Sequence, residues 1–245
     1  MKIKLRTKLF ILLLVPILLC LGIGITVSAI RIKNNGEQAF IEKSQAILTK
    51  MEAVRTFIAG QNDIDKEIEV LKQQYPDGNV PKHEHDLLLK KVPIIASWTI
   101  GMDNASQDHY NFRIASTNAR NSKHEAKPED LPFLKQFEEE GNKTINYFNK
   151  KTNALDVMRP VYLNEREGCL NCHGNPANSP YGNGKDIIGY QMENMKDGDL
   201  RGMFIISSDL APLQKQISSS IWVIILWGLL IASIAGIIGY FIIFN

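Results

Sequence analysis

Apolar residues crowd the two ends of this chain and thin out between them. Leu9 to Ile30 is a run of 22 positions without a charge, and Ile221 to Phe244 is a second run of 24. Each exceeds the roughly 20 residues that a helix needs to cross a bilayer. The polar stretch between them, Arg31 to Ser220, is long enough to bury a core of its own. The expected order is a basic cytoplasmic N-terminus over 1–8, a transmembrane helix over 9–30, a folded domain over 31–220 and a second transmembrane helix over 221–244.

Inside the middle stretch, Phe40, Ser44, Ile47, Met51, Val54 and Ile58 alternate steps of four and three. That spacing draws a stripe down one face of a helix over Glu37 to Gln74. The stripe serves equally as a face packed on its own domain or as the seam of a homodimer. Tyr75-Pro-Asp-Gly78 is a turn signal that ends the helix. Val92 to Met102 is apolar and fits helix or strand, and Tyr110 to Ser116 alternates as a strand does. Pro128 to Glu140 reads as a helix opened by Pro128 and stopped by Gly141. Thr144 to Asn149 and Leu155 to Leu163 flank Lys151-Thr-Asn153 as the arms of a hairpin. Glu165 to Lys185, rich in Gly, Pro and Asn, reads as a loop with one short helical turn, and Gly202 to Ser207 as a last strand. Helices followed by antiparallel strands give an α+β class.

Charge orients this layout. Lys2, Lys4, Arg6 and Lys8 precede the first apolar run, which keeps the N-terminus in the cytoplasm and places the middle domain outside, on the periplasmic side of an inner membrane. A cleaved secretory signal ending near Val27-Ser28-Ala29 is the alternative. The length of the run favours an uncleaved anchor, and either reading exports the domain. Cys20 follows Leu18 and Leu19 instead of a small residue, which argues against lipid attachment there. With 28 Lys and Arg against 26 Asp and Glu, the chain has no concentrated basic face for a nucleic acid. Ala232 with Gly236, and Ala235 with Gly239, put small residues four apart, a spacing that lets membrane helices approach closely.

The chemistry is concentrated at Cys169-Leu-Asn-Cys172-His173, the spacing of c-type haem attachment. Two thiols separated by two residues lie one turn of chain apart, matching two haem vinyl groups. The next residue then projects below the ring, where the His173 imidazole is a standard axial ligand. Gly174 follows as a flexible exit. Three other readings stand beside this one. A thioredoxin-like pair wants a strand-to-helix setting, a structural zinc site wants four Cys or His ligands, and a plain disulfide would leave His173 unexplained. The second axial ligand is open: His109, His124, Met192 and Met195 are candidates, as is an external small gas ligand. His83-Glu-His85 beside the turn reads as a solvated loop, not a metal pair. Arg159 is a candidate partner for a haem propionate. Gly182-Asn-Gly-Lys185 lacks the spacing of a phosphate loop, and no nucleophile and base are legible, so no enzyme is expected.

Val92-Pro-Ile-Ile-Ala-Ser-Trp98, Phe112-Arg-Ile-Ala-Ser116, Asn118-Ala-Arg-Asn121, Arg159-Pro160 and Cys169-Leu-Asn-Cys-His-Gly174 together resemble one bacterial family. It is the haem-c-binding extracytoplasmic sensor domain, found alone and ahead of chemoreceptor or histidine-kinase modules. The resemblance spans most of residues 40 to 215. It implies a PAS-like antiparallel sheet with a long N-terminal helix and one covalent haem c, with Cys169 and Cys172 as thioether residues and His173 as proximal ligand. One branch of the family takes its second ligand from a cysteine of the first helix. This chain departs there, because its spare cysteine, Cys20, lies in the first apolar run. The expected role is a redox or small-gas sensor signalling through its membrane helices or a partner protein. The alternative is an anchored electron carrier working with a redox partner.

Overall fold

The computed structural model describes residues 4–61, 64–103, 105, 107, 109–141 and 144–244. Asn62 and Asp63, in the expected first helix, and Lys2 of the basic N-terminus lie outside the described residues. The chain divides into two units, Met1–Phe40 with Leu210–Asn245, and Ile41–Asp209.

The first unit is built from the apolar part of helix α1 (Leu5–Gln61) and from helix α7 (Ala211–Phe244). Both helices are long and apolar enough to cross a membrane. Glycine sets their packing. A Cβ on Gly228 would run into Leu21, and one on Gly36 into Leu213. The positions a Cβ would take at Gly236 and Gly239 lie 3.7 Å from Leu14 and 3.5 Å from Leu13. The small residues of α7 thus serve a contact within the chain itself, close enough for van der Waals attraction in place of a hydrophobic drive.

The second unit is α+β. Strands β1 (Asn111–Ala115), β2 (Ile145–Asn149), β3 (Ala154–Tyr162) and β4 (Leu200–Asp209) form one antiparallel sheet in the order β1-β4-β3-β2. Both faces of the sheet are covered. On one, Leu48 and Met51 of α1 pack with Phe112, Ile114, Val157, Phe204 and Ile206. On the other, Leu134 and Phe137 of helix α5 (Leu131–Glu140) pack with Ala115, Met158, Met203 and Ile205. Neighbouring strand residues therefore go to opposite cores, and β4 reads as a continuous apolar run for that reason. Pro160 is tolerated in β3 because it lies beyond the last β2 pair, Ile145 with Met158, where one neighbouring strand remains. A third cluster joins Ile64, Ile68 and Leu71 of helix α2 (Ile64–Gln74) to Leu88 of helix α3 (Lys82–Lys91) and to Ile187.

Several local expectations shift. Ser44 and Met51 of the α1 stripe are buried as expected, but Leu48 joins them in place of Ile47, which is only partly buried. His83 and His85 lie on helix α3, not in a solvated loop; Pro81 opens it, a residue suited to helix starts. Val92 to Met102 resolves as helix α4 (Pro93–Met102). Helix α5 begins at Leu131, three residues after Pro128, because Asp130 ends the preceding turn and Pro132 supplies the preset φ. Gly141, at φ 76°, stops it as expected. Arg113 donates to both oxygens of Asp130 at 2.7 and 2.6 Å, and the Lys127 backbone N–H adds a third bond at 2.9 Å. Burial opposes ionisation of Asp130, but these donors prevail and hold its carboxyl below the usual range.

Candidate cofactor site

The loop that carries the cysteines leaves the sheet at one end. Tyr162, the last residue of β3, pairs with Leu200, the first of β4. Asn164 then accepts the Arg166 backbone N–H at 3.0 Å, and Gly168, at φ 75°, closes that turn. Helix α6 (Leu170–His173) follows, with the His173 N–H on the Cys169 carbonyl at 3.0 Å. At about 100° per residue, Cys169, Cys172 and His173 share one face of this turn. Leu170, Asn171 and Gly174 share the opposite one. A Cβ on Gly174 would strike the Leu170 carbonyl, so the exit is open to glycine alone. The expected loop thus contains three short helical turns, 165–167, 170–173 and 176–178, instead of one.

The His173 imidazole is held from a distant part of the chain. Its Nδ1 lies 3.0 Å from Glu193 Oε2. Glu193 reaches it because the following residues clip onto α6: Asn194 N–H donates to the Gly174 carbonyl at 3.0 Å and Met195 N–H to the His173 carbonyl at 2.9 Å. Arg120 grips the same carboxylate side-on, Nε to Oε1 at 3.0 Å and Nη2 to Oε2 at 3.0 Å. It also donates to Asp186 Oδ2 at 2.5 Å and to the Cys172 carbonyl at 2.8 Å. One guanidinium thereby joins the cysteine backbone to the residue that holds the histidine. Its planar face lies 5.2 Å from the Tyr190 ring centroid. Asp186, fully buried, accepts two further backbone N–H groups, from Ile188 at 3.1 Å and Tyr190 at 2.9 Å. Arg201 Nη2 stands 3.9 Å from Glu193 Oε1 and is anchored on Ser116 at the end of β1.

This charge pattern tunes each group. Burial works against the Glu193 carboxylate, yet bonds from His173 and Arg120 bring its pKa down to about 2. Burial, with the Asp186 charge beside it, pushes the Cys172 thiol up to about 12. Burial also raises the Cys169 thiol, while the Asn164 backbone and the Arg55 charge act the other way. Both cysteines are free thiols. On the Cys169 side, Arg55 of α1 pairs with Glu167 and donates to the Tyr162 carbonyl at 2.9 Å.

The remaining candidates are scattered. Arg159 reaches α1, donating to Glu52 at 3.0 Å and Thr49 at 3.3 Å. His109 is exposed at φ 59° before β1, at the sheet end opposite the motif, since Asn111 pairs with Ser207 and not with the start of β4. His124 lies at the motif's end of the sheet, edge-on to Trp98 with ring centroids 5.4 Å apart, and burial lowers its pKa. Met192 is buried, with its N–H on the Gly184 carbonyl at 3.0 Å. Met195 meets His173 through its backbone and lines a cavity of about 680 Å³. That cavity is bounded also by Asp65, Leu170, Asn171 and Gly174, and Cys169, Cys172 and His173 are not among its lining residues. Its volume suits a small molecule, and it is lined by the Leu170, Asn171 and Gly174 face of α6. Among the described residues, no group of three or more His, Cys, Asp or Glu is gathered to hold a bare metal ion.

Arg55, Glu167, Asp186, Glu193 and Arg201 were not foreseen as site residues. Arg120 appeared in the sequence only as part of the Asn118–Asn121 fragment. Its position in the loop between β1 and the turn at 122–124 carries no periodic signal.

No curated protein matches the chain. Among solved structures, the crystal structure of the cyanobacterial heme-protein Tll0287 superposes with a TM-score of 0.49 at 16% identity, covering 70% of this chain and 95% of that one. The family comparison is broader in reach and agrees with the fragments from Val92 to Gly174: residues 33–208, from within α1 almost to the end of β4, match the Tll0287-like family, and the chain belongs to it.

Proposed function

We propose that Cys169 and Cys172 hold one haem c through two thioether bonds, that His173 is an axial ligand to its iron, and that the chain is a membrane-anchored extracytoplasmic sensor of redox state or of a small gas. One observation carries the reading. Cys169, Cys172 and His173 share a face of one helical turn, and His173 presents Nδ1 to Glu193. With Nδ1–H donating to a carboxylate, Nε2 keeps its lone pair, the form in which imidazole binds a metal. The residues thus fit the group.

A haem held there supplies a one-electron couple and, where its sixth position opens, a site for a gas ligand. The chain's own residues supply the connection. Arg55 belongs to α1, the helix whose N-terminal half is apolar, and it grips Glu167 and the Tyr162 carbonyl beside Cys169. A change of state at the motif that altered those bonds would act on α1 directly. Sensing requires two such states with different interactions, and a separate signalling partner would read them. Membership of the Tll0287-like family, the four-stranded antiparallel sheet and the two apolar helices support a sensor above catalysis.

The test is an absorption spectrum of the purified full chain, oxidised and reduced, with and without carbon monoxide or nitric oxide. A six-coordinate low-spin spectrum that changes only with redox state assigns redox sensing or electron transfer. A sixth position displaced by gas assigns gas sensing. Absence of covalent haem, in cells that mature c-type cytochromes, overturns the reading.

A further inference from the structure

Glu193 is 20 residues from His173 in sequence and in direct contact with its ring at 3.0 Å. Its geometry is unusually well determined for a partly exposed carboxylate. Arg120 holds both oxygens, Arg201 stands beside one, and the backbones of Asn194 and Met195 are bonded to α6. Arg120 is in turn fixed by buried Asp186 and by the Cys172 carbonyl. A loop clip alone would need none of this, since the backbone bonds already close the loop. The side chains of Arg120 and Arg201 instead converge on the one carboxylate that meets His173 Nδ1.

We infer that Glu193 is a positioning residue for the His173 ligand, that Arg120 holds it there, and that the pair lowers the reduction potential of the bound iron. This rests on the haem reading above. A carboxylate that accepts the Nδ1–H makes the imidazole a stronger donor and orients its ring. A stronger donor favours the oxidised iron. Arg120 keeps the carboxylate within bonding distance while offsetting part of its charge, so losing the clamp should weaken the effect without abolishing it.

The experiment is a potentiometric titration of the haem-loaded full chain. Glu193→Gln keeps the shape and a hydrogen-bond acceptor but removes the charge. At a fixed potential its ratio of reduced to oxidised haem should rise about tenfold, or about 59 mV for one electron. Glu193→Asp, which restores a carboxylate, should recover part of the difference. Arg120→Lys should move the ratio the same way by a smaller factor and provides the reading if Glu193→Gln accumulates poorly. Glu52→Gln removes an equal charge from α1, where its partner is Arg159, and should leave the ratio unchanged. A shift of less than threefold in Glu193→Gln, a fall in the ratio, or an equal shift in Glu52→Gln overturns the inference. Wild-type chain without covalent haem overturns the functional reading itself, whereas normal haem content with an unmoved potential overturns only the role of Glu193.

Discussion

The two faces of helix α6 are built on opposite principles. The front carries Cys169, Cys172 and His173 and is crowded with charge: Arg120, Asp186, Glu193, Arg201, Arg55 and Glu167 all bear on it or on its flanks. The back carries Leu170, Asn171 and Gly174 and opens on the 680 Å³ cavity. The difference teaches that a candidate cofactor site need not coincide with a cavity. It is marked by side chains whose charge and tautomer are already set by neighbours.

Changes on the front should therefore dominate. The largest effect is expected from the double change Cys169→Ser and Cys172→Ser, which removes all covalent haem, scored by haem staining after denaturing electrophoresis. Retained staining would end the two-thioether assignment. Next is Arg120→Met, which leaves buried Asp186 without its cation. Stripping one partner from a buried ion pair costs about 3 kcal/mol or more, and a urea unfolding midpoint would show it. An unchanged midpoint would mean that the network is not a structural element of the front face.

Arg113 with Asp130 provides a reference outside the site, built from the same kind of fork. Arg113→Met should cost about 2 kcal/mol, the worth of hydrogen bonds to a charged group, and leave haem content untouched. Its pH dependence has a definite sign. The Asp130 pKa is lowered in the folded state, so its contribution is fully present above the unfolded value of about 3.9 and is lost as pH falls through the folded value. The gap in stability between wild type and variant should close on acidification below about pH 4. A gap that persists there would show that packing, not charge, sets the cost. The smallest effect belongs to the back of α6. Asn171→Ala removes an exposed 2.6 Å bond to Asp65 and should change stability by less than about 0.5 kcal/mol, with haem content and spectrum unaltered. A spectral change there would tie the cavity to the site.

Much of the architecture was legible before the structure. Strand β1, the hairpin of β2 and β3, and the stop at Gly141 came from alternation and turn residues, because those signals act over a few positions. Helix α3 was missed because its charged Lys82–Lys91 segment shows one buried residue, Leu88, and so no stripe. The site divides in the same way. Arg159, near the motif in sequence, bonds to α1, while Arg120, 52 residues from Cys172, is the one that reaches it.

The sequence by itself determined the apolar ends and the turn that places Cys169, Cys172 and His173 on one face, since helix periodicity and residue length act over a few neighbouring positions. Tertiary structure alone decided what surrounds that turn. Arg120 comes from the loop after β1, and Asp186 and Glu193 from the loop before β4, and these segments meet because antiparallel pairing places the end of β1 beside the start of β4. Contacts 66 and 73 residues apart leave no periodic trace, so the residues gathered around His173 become visible only when the sheet has closed.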